Sequence, residues 1–150
     1  MSSIQAALPS NATAAPSGKA LRISLWVAQV VLAAVFAMSG VIKLTTPIAE
    51  LSATMPWTGD VAPGFVRLIG LIDLAGGLGI LLPSLTRIQP RLTILAALGC
   101  LVLQLLAFAF HGSRGEFAVL PMNVLLVGLS AFVLWGRANK APVAPRGGRW

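Results

Sequence analysis

The chain has 150 residues, 57% hydrophobic and 10% charged, with eleven Lys and Arg against four Asp and Glu and a net charge of +7. Its mean hydropathy is +0.87. That is too apolar for an ordinary soluble domain, leaves almost no polar face to clothe a globular all-α protein, and gives room for one domain.

Residues 1–18 are uncharged and rich in Ser, Ala, Pro and Asn, so residues 1–22 are expected as a disordered tail. Lys19 and Arg22 resemble the n-region of a signal peptide. The apolar run that follows, 23–42, is longer than an h-region and ends at Lys43 without a small-x-small cleavage site, so it reads as an uncleaved span. The loop 44–64 carries Glu50, Asp60 and three prolines; its Pro56-Trp57 pair suggests a segment folded back on the membrane surface. Runs 65–82, 92–110 and 118–135 complete a set of four that suit spans of about 17–25 residues. Together, 23–137 form the transmembrane domain and 138–150 a disordered basic tail.

The basic residues report topology rather than nucleic-acid binding. Lys19, Arg22, Arg87, Arg91, Arg137, Lys140, Arg146 and Arg149 share one side of a four-span chain, against Lys43, Arg67 and Arg114 on the other. Eight against three places both termini in the cytoplasm, with the tail near anionic head groups. Trp26 and Trp135 would then mark the inner interface, and Trp57 and Phe65 the outer one.

Each span carries one polar stripe: Gln29, Phe36, Gly40 and Lys43; Gly70, Asp73 and Gly77; Cys100, Gln104 and His111; Asn123 and Ser130. Four such helices with fairly short connections predict an all-α, four-helix transmembrane bundle with the stripes inside. Asp73 is the costly member, since a charge near the bilayer centre costs roughly 2.5–3.5 kcal/mol on insertion scales. It falls roughly 12 Å below the outer start of its span, and Gln104 roughly 10 Å below His111. The predicted ligand-binding pocket therefore comprises Lys43, Asp73, Gln104, His111 and Asn123 in the outer half. Arg67, on another face, is expected to reach head groups or Asp60.

Bland readings stand beside this one. Asp73 can be a hydrogen-bond hub paired with Asn123 or Gln104, Lys43 can snorkel, and His111 can cap its helix. Cys100 reads as packing, and its lone thiol rules out an internal disulfide relay. One His, one Cys and scattered acids make no metal ligand set. No flavin, haem or iron–sulfur motif is present, so no intrinsic cofactor is expected.

Several segments recur in a known order: Ser39-Gly40-Val41-Ile42-Lys43-Leu44 with Pro47; Phe65-Val66-Arg67-Leu68-Ile69-Gly70 leading to Asp73; Gly76-Gly77-Leu78-Gly79-Ile80-Leu81-Leu82-Pro83; Leu95-Ala96-Ala97-Leu98-Gly99; His111 with Arg114-Gly115-Glu116; and Pro121-Met122-Asn123. From about Leu25 to Arg137 the chain resembles the DoxX-like family of small four-span bacterial membrane proteins. Asp73 stands where the family pattern usually has Glu. The resemblance implies an accessory or quinone-interacting subunit of a membrane-associated redox system, with Asp73 or His111 handling protons and a soluble or membrane partner supplying electrons. A proton-coupled small-molecule transporter and a structural anchor for a soluble enzyme stay open.

Overall fold

The computed structural model describes residues 18–147. Its helices are α1 (Gly18–Thr45), α2 (Ile48–Thr54), α3 (Pro63–Thr86), α4 (Arg91–Ser113) and α5 (Leu120–Trp135), with short 3-10 turns at Pro56–Gly59 and Phe117–Val119. A single π-turn, Gly136–Lys140, continues α5. Among the described residues there is no strand. Four helical segments, Gly18–Thr45, Pro63–Thr86, Arg91–Ser113 and Phe117–Lys140, are long and apolar enough to cross a membrane.

The helices run up and down in sequence, with α1 packed on α3, α3 on α4, α4 on α5, and a looser seam joining α5 to α1. The buried residues explain this order. In α1 they are Leu25, Ala28, Gln29, Leu32, Ala33, Phe36, Gly40 and Lys43, and in α3 they include Val66, Gly70, Asp73, Gly77 and Ile80. Steps of three and four keep one face turned inward, as in left-handed bundles. The opposite faces carry exposed Val27, Leu71, Leu95 and Leu106. An apolar exterior around an interior that mixes apolar side chains with buried Gln29, Asp73, Asn123 and Ser130 suits lipid as the solvent.

Close contact of α1 with α3 depends on glycine. A Cβ on Gly40 would lie 2.7 Å from the Gly70 carbonyl oxygen, and one on Gly77 would lie 2.8 Å from the Ala37 nitrogen. These are backbone neighbours with nowhere to go. Between α3 and α4, Cys100 Sγ fills the notch at Gly76, which is the packing role expected of it.

Beyond one end of the bundle, α2 and the turn after it fold back so that Leu51, Trp57 and Val66 form a small satellite core. Trp57 meets the Phe110 ring edge-on at 6.0 Å. Trp57, expected to mark the outer interface, lies within this satellite core and is only 9% exposed. The satellite core marks the loop end of the bundle, and Arg87, Arg137 and Arg146 mark the opposite, basic end.

At the basic end the structure departs from the sequence reading twice. Helix α1 begins at Gly18, inside the segment read as tail, since Lys19–Arg22 continue the helix that the apolar run starts. The C-terminal segment is also packed as far as it is described. Ala141 is buried, the Arg146 amide donates to the Arg87 carbonyl at 3.0 Å, and Arg87 Nε donates to the Ala144 carbonyl at 3.0 Å. This strap crosses the α3–α4 turn, where Arg87 and Gln89 hold positive φ values of 61° and 45°. Residues 1–17 and 148–150, read as the outer parts of the two tails, lie outside the described residues.

Candidate functional site

Asp73 faces the inside of the bundle, 4% exposed, and Lys43 joins it there, 8% exposed. Lys43 Nζ lies 2.7 Å from Asp73 Oδ2. Ser39 Oγ donates to the same oxygen at 2.9 Å and accepts from Lys43 Nζ at 2.5 Å. The triad closes because Ser39 and Lys43 are one turn apart on α1, and Gly40 and Gly70 let α3 come close beside them. Asp73 Oδ1 accepts no hydrogen bond among the described residues.

Of the two readings open for Lys43, the structure selects the inward one. Cα–Cβ bonds tilt towards the N-terminus of a helix, and α1 runs towards the loop end. The stem of Lys43 therefore starts out pointing into the bundle, and Asp73 holds its amine there. The Lys43 carbonyl accepts from Arg67 Nη1. Arg67 thus caps the last turn of α1 rather than pairing with Asp60.

The remaining predicted residues make no hydrogen bond to this triad. His111 Nδ1 lies 2.5 Å from Glu116 Oε2. Arg114 donates to Glu116 Oε1 at 2.8 Å and to Asp60 Oδ2 at 2.6 Å, tying the two loops of this end together. Asp60 is therefore the partner of Arg114. Its bonds to Arg114 and His111 hold the Glu116 carboxyl below its ordinary range, and bonds to Glu116 and Asp60 push the Arg114 guanidinium up. Asn123 is buried; in the amide orientation that satisfies both ends it donates to the Val119 carbonyl at 3.0 Å and accepts from the Phe108 amide at 3.2 Å. Its bonds thus join α5 to α4. Gln104 is half-buried and joins none of these hydrogen bonds. The partners of Asp73 are Lys43 and Ser39, in place of the Asn123 or Gln104 expected of a hub.

Two functional-looking residues escaped the sequence reading. Ser39 sits beside the stripe, and its i, i+4 spacing from Lys43 was the available signal. Arg137 was counted with the loop cations, yet it is 4% exposed. Its Nε donates to Gln29 Oε1 at 2.6 Å, while Gln29 Nε2 donates to the Ile80 carbonyl at 2.7 Å. The signal was in the sequence: extending the Asn123–Ser130 spacing by seven more residues lands on Arg137.

Chemically, the triad couples a cation, a hydroxyl and a carboxylate in one buried cluster, offering hydrogen-bond donors and a proton acceptor within a few ångströms. At about 1.5 Å per residue Asp73 sits roughly 15 Å along α3 from its start, well inside the apolar layer. No curated protein and no solved structure matches the chain. The model of the DoxX-like family matches residues 27–133, which reaches into all four spans and includes Ser39, Lys43 and Asp73, and the chain belongs to that family.

Proposed function

We propose that the protein is an accessory or quinone-interacting subunit of a redox system in the bacterial inner membrane, and that the Asp73 cluster takes the polar head of its ligand. The observation that carries this reading is the buried Lys43–Asp73 pair, with Ser39 bonded to both partners. A buried pair adds little net stability, because desolvation offsets most of the Coulomb attraction. An ionisable group at membrane depth is accordingly more useful as a site than as a brace. Lys43 Nζ and Ser39 Oγ would donate to a carbonyl oxygen of the head group, and Asp73 would hold the proton through Oδ1. A quinone supplies a two-electron, two-proton couple when bound; a soluble or membrane partner supplies the electrons. Gln104, His111 and Asn123 complete the loop-end half of the pocket in this reading, with His111 nearest its mouth.

The test starts from the full chain purified in mild detergent. Its lipid extract should contain quinone, and added short-chain quinone should raise its thermal midpoint. Lys43→Met should abolish both effects while leaving the helical signal intact. A quinone-free extract together with an unmoved midpoint would overturn the proposal.

A further inference from the structure

Among the described residues, Arg137 is a buried cation without a carboxylate partner. Its Nε and Nη1 donate to neutral oxygens, Gln29 Oε1 at 2.6 Å and the Ala141 carbonyl at 3.1 Å, and its guanidinium lies 5.0 Å from the centre of the Trp26 ring. Its Nη2 is buried and has no hydrogen-bond partner among the described residues. The chain has four acidic residues. Glu50, Asp60 and Glu116 lie at the loop end, and Asp73 is paired with Lys43. A buried charge left uncompensated is strongly destabilising, so an anion is the expected complement.

Beside Arg137 a cleft of about 540 Å³ opens between the α3–α4 turn and the C-terminal strap. Gln89, Arg91 and Arg137 give it a polar, doubly cationic wall, and Leu92, Ile94 and Val143 an apolar one. The first turn of α4 faces the same space with no acidic residue and no side-chain cap. Its dipole therefore adds positive potential to that of Arg91. The apolar wall continues onto lipid-exposed surface, where Leu92 is 45% and Ile88 64% exposed. Cations at the end of the spans beside an apolar groove match an amphiphile whose head is an anionic phosphate.

We propose that this cleft binds one anionic phospholipid, its phosphate held by Arg137 and Arg91 and an acyl chain lying along Leu92 and Ile94. The occupant neutralises Arg137 and fastens the strap over the basic end.

Native mass spectrometry and thermal unfolding of the full chain in neutral detergent test this. Phosphatidylglycerol should be retained and raise the thermal midpoint; phosphatidylcholine of the same chain length and millimolar inorganic phosphate should do neither. Arg137→Gln should weaken phosphatidylglycerol retention about tenfold, the scale of one lost charge-assisted hydrogen bond. The exposed Lys19→Gln should leave retention unchanged. Should Arg137→Gln fail to fold, Arg91→Gln at the exposed rim gives a second reading, with retention reduced severalfold. Equal retention of phosphatidylcholine, equal protection by inorganic phosphate, or undiminished retention in the folded Arg variants would each overturn the proposal.

Discussion

Lys43 and Asp73 neutralise each other in a place where neither is tolerable alone, so the two single deletions have different consequences. Lys43→Met strands a carboxylate that sits 4% exposed in the bundle, with only Ser39 left to solvate it. Asp73→Leu strands an amine, but Lys43 is near the end of α1 and its long stem can swing out to the interface. Breaking a buried pair by removing one partner costs about 3–5 kcal/mol, whereas replacing both by apolar groups is often neutral. Lys43→Met should therefore lower the thermal midpoint in detergent more than Asp73→Leu does. Adding Asp73→Leu to Lys43→Met should restore most of the loss. A double variant as unstable as Lys43→Met alone would show that the cost comes from lost packing of the lysine stem.

At the scale of elements, the α1–α3 contact and the loop-end network hold the site in different ways. Gly77→Leu places a side chain where the Ala37 nitrogen and the Ala33 carbonyl oxygen are 2.8 and 2.9 Å from the first added carbon. Neither backbone can yield, so this variant should unfold well below Asp73→Leu, or fail to assemble. If Asp73→Leu proves the less stable of the two, the carboxylate is a structural brace. The network behaves differently because its charges titrate. Glu116 is held below its ordinary pKa of 4.5 by Arg114 first and His111 second. A depressed carboxylate contributes stability above the unfolded value and loses it as pH falls through the folded one. The tie between the loops should thus be intact at neutral pH and released in acid, below about pH 4.5. Amide exchange in α2 and residues 114–119 should accelerate there while the bundle stays protected, and Glu116→Gln should give the fast exchange at neutral pH as well.

For the whole molecule, the legible part of the sequence was the part set by periodicity. Runs of apolar residues gave the four spans, and polar residues seven apart gave the inner faces on which Gln29, Lys43, Asp73, Asn123 and Ser130 are buried. Pairings were less legible, because they depend on side-chain direction and on which helices adjoin. Asp60 sits closer in sequence to Arg67 but meets Arg114, and Arg137 looked like a loop cation because the apolar run stops two residues before it. Connectivity and charge together lead to the last prediction. Four alternating crossings put Gln29, Arg87, Arg137 and Arg146 at one end, as their mutual contacts require. Seven of the eight described residues that are Lys or Arg and lie outside the Asp73 cluster and its Arg67 cap gather at that end; Arg114, at the other, is matched by Asp60 and Glu116. Because Lys and Arg are retained on the cytoplasmic side, the basic end should face the cytoplasm. A phosphatase reporter, active only outside, should be silent when fused after Trp150 and active when inserted in the loop 46–62. A fluorescent reporter that matures only in the cytoplasm should give the reverse pattern. A silent loop insertion in a folded, membrane-extracted protein would invert the topology and turn the Asp73 cluster towards the cytoplasmic leaflet.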